Sequence, residues 1–326
     1  MESQHRCGGN KDGRSAEMVA VMALKDVEED IVIKKRNNMK KNLESLVPCK
    51  NVVRTSTLSE RWEYLSRNNQ RLDISESNFP EKTHFVNFVD RALSLHDFPL
   101  KMFSLFCKTV FVRSRIDGWI TASIKRKVKE LRVGLVGGML EYVLPSCVFN
   151  CETLIELHLS MSHELRLPSL VYLKNLKVLT LVLVDFGGDS SVEKFLPCPF
   201  LEELVFNYCR WRRLKVLHIS TPKHLGLQIV EQPLYEDLEN TFCLGVNGAR
   251  IKFVAYIGPL INYYTISSSS SLVRARINLD MFGWPHHHHF AYHEYKLLKD
   301  LSSAITGVDP SGYPSYLGRE PTSLGG

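Results

Sequence analysis

A short phrase with apolar side chains at its first, fourth and sixth positions, Leu-x-x-Leu-x-Leu in broad form, returns along most of the chain. It is written LIELHL at 154–159, LKVLTL at 176–181, LEELVF at 201–206 and LKVLHI at 214–219. Looser copies are LKMFSL at 100–105, VKELRV at 128–133, IKFVAY at 251–256 and LVRARI at 272–277. The phrases thus begin at Leu100, Val128, Leu154, Leu176, Leu201, Leu214, Ile251 and Leu272. Most steps are close to one common length, but Leu214 follows Leu201 after only half a step. The step on to Ile251 is correspondingly long, so the two together make two periods, and PKHLGLQI at 222–229 supplies a further strand in the longer gap. One short strand repeated at roughly 20–30 residues predicts a solenoid, in which each coil buries its apolar edge against its neighbours.

Between the strands the apolar spacing lengthens to three and four. HFVNFVDRALSLHD at 84–97 predicts an amphipathic helix through Phe85, Phe88, Val89, Ala92 and Leu93. RIDGWITASIKRKV at 115–128 does the same through Trp119, Ile120, Ser123 and Ile124, and SSVEKFL at 190–196 through Val192, Phe195 and Leu196. Strand and helix in alternation predict an α/β leucine-rich-repeat solenoid, a curved parallel sheet with helices outside. Side chains alternate along a strand, so Leu157 and Leu159 point inward while Glu156 and His158 face out. The outward set forms the predicted concave binding surface: Glu130, Arg132, Glu156, His158, Val178, Thr180, Glu203, Val205, Val216, His218, Arg274 and Arg276. Its mixture of charge, imidazole and small apolar groups suits a protein partner better than a phosphate backbone.

Before the repeats, residues 18–33 predict a helix, 34–42 are basic and polar, and 43–66 are again helical, with Leu58, Trp62 and Leu65 on one face. The N-terminal stretch, 1–17, is polar and Gly-rich, without the apolar core of a secretory signal. Five serines at 267–271 mark a loop, and 309–326 is a Gly-, Pro- and Ser-rich tail.

Composition narrows the picture. An apolar share of 44% suits a folded core, and no apolar run approaches the roughly 20 residues needed to span a bilayer. The net charge of +6, from 41 basic and 35 acidic residues, is too mild for a dedicated polyanion binder. Eight scattered cysteines without a CxxC pair predict reduced thiols and a cytoplasmic or nuclear protein. His286 to His289, with His293 and Glu294 near, point in different directions and predict a polar loop; no metal site or cofactor is expected. Arg210, Arg212 and Arg213 around Trp211 predict a surface turn. Without GxSxG, HExxH or GxxxxGK[ST], the chain is expected to be non-catalytic.

Several unlike phrases, in order, resemble one plant family. PCKNVVRTSTLSERWEYL at 48–65 resembles the second half of a plant F-box. FVNFVDRALSLHD resembles the segment that follows it, and VKELRV, CETLIELHLS, LKNLKVLTLVLVDF and CPFLEELVFNYC resemble the family's leucine-rich repeats. SSLVRARINLD and YKLLKDLSSA at 295–304 resemble the entry to the FBD region that ends such chains. The resemblance implies a leader at 1–17, a degenerate all-α F-box-like region at 18–66, and a connector at 67–99. Leucine-rich repeats at 100–265, a partial FBD-like region at 266–308 and a tail at 309–326 follow. Two departures stand out: KRNNMKKN at 35–42 interrupts the F-box, and the FBD strands expected after Ala304 are missing. By resemblance, Pro48, Val52, Val53, Leu58 and Trp62 contact a Skp-type adaptor of a cullin-based ubiquitin ligase. The repeats would then select the protein to be ubiquitinated. The alternative is a relative that binds protein through its repeats without engaging the ligase.

Overall fold

The computed structural model describes residues 70–96, 98–136, 142–162, 164–168, 171–186, 198–211, 216–219, 224–231, 243–246, 250–258, 262–266, 272–278, 291–301 and 305–308. The chain divides into two compact units, one of residues 1–172 with 181–185, the other of 173–180 with 186–326.

In the first unit four strands pair in chain order, all parallel: β1 (Arg71–Ser75), β2 (Met102–Cys107), β3 (Glu130–Leu135) and β4 (Glu156–Met161). The register stacks the repeated apolar positions into ladders. Leu72, Phe103, Leu131 and Leu157 form one, and Ile74, Leu105, Val133 and Leu159 the next. All eight side chains are buried, each contributing about 1.5–3 kcal/mol before the entropy of ordering is set against it. The backbone repeats as faithfully. The carbonyl just before each strand accepts two successive N–H groups from the next coil. Gln70 O takes those of Lys101 and Met102, Lys101 O those of Lys129 and Glu130, and Lys129 O those of Ile155 and Glu156.

Helices α1 (Lys82–Ser94), α2 (Arg113–Lys125) and α3 (Ser146–Phe149) occupy the returns of this unit. Phe85 of α1 meets Trp119 of α2 edge-on at 5.7 Å, and Phe111 touches both rings. The Arg126 guanidinium ends α1 by donating to the carbonyls of Leu93 and His96, and it also binds Ala122 O of its own helix. Glu76, immediately after β1, ties down the loop after β2 by accepting the N–H groups of Lys108 at 2.6 Å and Thr109 at 2.9 Å.

The second unit keeps the strands and changes the returns. Strands β6 (Glu203–Asn207), β8 (His224–Val230), β10 (Arg250–Ile257), β12 (Arg274–Asn278) and β13 (Ile305–Val308) pair in that order, again parallel. Strand β5 (Val178–Val182) is divided between the units. Lys177 O accepts the N–H groups of Glu202 and Glu203, so the doubled hydrogen bond recurs here. The returns β7 (Val216–Ile219), β9 (Cys243–Val246) and β11 (Tyr263–Ile266) pair with one another as a separate parallel sheet, and α4 (Ala291–Leu301) packs beside β11. Glu231 fastens the two layers. Its buried carboxylate accepts hydrogen bonds from Tyr256 of β10 at 2.7 Å, from Asn262 at 2.7 Å and from Tyr264 of β11. Helical returns thus describe the first unit, whereas strands fill most of this role among the described residues of the second.

Four sequence expectations change. LKVLHI is a strand but belongs to the second sheet: the half-step from Leu201 to Leu214 is too short for a full coil, and PKHLGLQI supplies the next strand of the first. With that exchange the strands β1–β6, β8, β10, β12 and β13 start at Arg71, Met102, Glu130, Glu156, Val178, Glu203, His224, Arg250, Arg274 and Ile305, and the short and long steps disappear. The sheet begins inside the expected connector, at Arg71, and a strand does follow Ala304, pairing with β12. Trp211 is no surface residue: it is 8% exposed and stacks on Phe186 at 4.5 Å. The expected leader, F-box-like region, 190–196 helix, histidine run and tail lie outside the described residues. No helix among the described residues is long and apolar enough to cross a membrane.

Candidate binding face

Alternation along each strand leaves one side of the sheet in each unit to polar positions. In the first unit register aligns them in rows across β1 to β4. Arg71, Met102, Glu130 and Glu156 form one row; Asp73, Ser104, Arg132 and His158 the next; Ser75, Phe106, Gly134 and Ser160 the third. Glu130, Arg132, Glu156 and His158 therefore stand together on one face of the sheet. Neighbours from β1 and β2 complete the face.

These charges answer one another. Arg71 lies 3.3 Å from Glu130, which Arg132 meets from the other side, and His158 is 3.6 Å from Glu156. The imidazole of His158 holds the Glu156 carboxyl below its ordinary range, against the opposing effect of burial. Glu130, Glu156 and His158 bring ligand-type atoms within 4.8 Å of one another. Arg71 and Arg132 already supply the positive charge that a bound cation would bring, so the arrangement is an ion-pair lattice. Arg132 Nε and Ser160 Oγ are shielded there without a hydrogen bond to any described residue. Gly134 makes room for a ring: a Cβ on it would sit 2.2 Å from Cδ2 of Phe106.

The second unit's face is different. Its rows are Glu203, Gly226, Phe253 and Arg274, then Val205, Gln228, Ala255 and Arg276. Arg274 and Arg276 are exposed, Glu203 is half-buried, and Val178 and Thr180 on β5 are half-buried too. Three predicted members of the surface need correction. Val205 is on the expected side but only 4% exposed, because alternation fixes a side chain's face and not whether its neighbours cover it. Val216 and His218 belong to β7 and therefore to the other sheet. Pro48, Val52, Val53, Leu58 and Trp62, expected to contact an adaptor, lie outside the described residues.

The helical side of the first unit has an open groove lined by Asp90, Trp119 and Arg126. Its polar groups serve the fold. Asp90 accepts from Trp119 Nε1 at 2.6 Å and pairs with Arg115 at 2.8 Å. Arg71, Asp73, Phe106 and Phe253 also belong to these faces, although the repeated phrases do not mark them. The alternation of Leu72 and Ile74 in RLDIS was the signal for β1, but it carries only two apolar positions.

The chain is similar to known proteins over this region. Residues 116–244 match the family described as the leucine-rich repeats of the FBD-associated F-box protein At5g56370. The FBD-associated F-box protein At1g66310 of Arabidopsis thaliana is 32% identical over 246 residues, 72% of this chain and 54% of its own length. The F-box/LRR-repeat protein At3g59200 of the same plant is 30% identical over 269 residues, 78% of this chain and 50% of that one. The chain thus spans about half the length of the curated relatives it matches. No solved structure matches it.

Proposed function

Because the repeat region of this chain belongs to the leucine-rich-repeat family of FBD-associated F-box proteins, we propose that it is the substrate-receptor subunit of an SCF-type ubiquitin ligase. The observation that carries this reading is the pair of sheet faces on which register gathers outward side chains from four successive coils. Rigid, repeated strands present such a row to a protein surface at little further cost in ordering. The F-box-like segment around Trp62 would dock on a Skp-type adaptor through apolar side chains. The chain would perform no chemistry. It would raise the local concentration of a bound protein near the ubiquitin carried by partner subunits, in the cytoplasm or nucleus.

The inserted KRNNMKKN at 35–42 favours a second reading, a repeat-domain binding module that no longer engages the ligase. Co-purification of the full chain with a Skp-type adaptor separates the two. A complex that Trp62→Ala weakens, and that alanines at His286 to His289 leave intact, supports the receptor. No complex at micromolar concentrations supports the module.

A further inference from the structure

The two faces differ in how their charges are balanced. In the first unit Glu130 stands between Arg71 and Arg132, and Glu156 faces the imidazole of His158. In the second, the guanidiniums of Arg274 and Arg276 are exposed and make no ion pair or hydrogen bond with any described residue. They sit two residues apart on the same side of β12, separated by about 6.6 Å of strand. Ala275 and Ile277, the alternating positions, are buried and hold the strand in the core, so both guanidiniums stay on the open side. Next to them in register, across β10, are Phe253 and Ala255, and further along the rows come Gly226, Gln228 and Val205. Between the ends of these two rows no position is charged; Lys252, exposed at the bulge of β10, falls outside them. Glu203 closes the first row on β6, three strand spacings or about 14 Å from Arg274.

We propose that this face docks an acidic segment of a partner protein that lies along β12 and then turns across the strands. Two carboxylates at alternate positions would lie along β12 opposite Arg276 and Arg274; past the turn, apolar side chains would cover Phe253 and Ala255, and a basic residue about four positions on would reach Glu203. The inference rests on the reading of the repeats as a holder of protein targets and specifies the target's chemistry. A nucleic acid fits less well. Its backbone asks for cations spread along its path, whereas in these two rows they stand on one strand beside an apolar floor.

The test is fluorescence anisotropy on the full chain. The probes are a labelled peptide, Asp-Leu-Asp-Leu-Ala-Leu-Lys, the same peptide with the charges inverted, and a labelled single-stranded oligonucleotide. The acidic peptide should bind more tightly than the inverted one. Arg274→Glu with Arg276→Glu should weaken it about tenfold or more and strengthen binding of the inverted peptide. The paired Arg→Gln variant should lose affinity without that gain, and melting curves of both variants should match the parent, since both side chains are exposed. Equal binding of the two peptides, indifference to the charge reversal, or tighter binding of the oligonucleotide would overturn the proposal. Adaptor co-purification on the same preparations keeps the readings apart. If the adaptor binds and the peptide does not, the receptor survives and this partner chemistry falls; if only the peptide binds, the ligase reading falls and this one stands.

Discussion

Two glycines with opposite surroundings show what a single side chain decides in this molecule. Gly134 lies under the ring of Phe106, 2.2 Å from where its own Cβ would stand, whereas Gly118, inside α2, has nothing within 4 Å. Gly134→Ala should destabilise by about 1–3 kcal/mol through displacement of the ring. Gly118→Ala should stabilise by up to about 1 kcal/mol, because alanine loses less backbone freedom in a helix. Urea unfolding of both variants checks the pair. Adding Phe106→Ala should relieve most of the Gly134→Ala cost; an additive double variant would show that the ring is not the obstacle. Gly258, after β10, has a third role. Its φ of +133° and a would-be Cβ only 2.4 Å from Glu231 O exclude a side chain there.

At the scale of elements, the join between strand layers in the second unit depends on Glu231. Removing its carboxylate takes one charge-assisted hydrogen bond from each of Tyr256, Asn262 and Tyr264, about 1.5–3 kcal/mol apiece. Glu231→Ala should speed amide exchange in β9 and β11, and Glu231→Gln should retain part of the protection. Exchange unchanged in both variants would place the join elsewhere. This element also marks where legibility in the sequence stops. The Leu ladders were readable because each strand repeats an apolar spacing that the register then stacks. The second sheet was not, because LKVLHI has the same spacing whether it starts a coil or returns from one. Only its closeness to LEELVF distinguished it. Val205 was misjudged for a related reason: period two identifies a face, while cover comes from neighbouring strands. Glu231 left no trace, since its three donors become its neighbours only through the fold.

Across the molecule, the response to acid follows from the charges on the first unit's face. Glu156 has its carboxyl pKa lowered from the ordinary 4.5, chiefly by His158. A group depressed in the folded state contributes stability that is complete above the unfolded value and is lost as pH falls through the folded one. The parent should therefore lose more stability than Glu156→Gln between about pH 6 and about pH 3, as measured by urea unfolding at each pH. Parallel pH profiles would mean the pair contributes nothing. The same coils carry a constraint written into the main chain. Wherever one carbonyl holds two successive N–H groups, at Lys129 and Glu130, Ile155 and Glu156, or Glu202 and Glu203, the second coil must offer both hydrogens. Proline has none to give, so those paired positions are closed to it, and a sequence of this kind bearing proline at either one has had to join its turns in some other way.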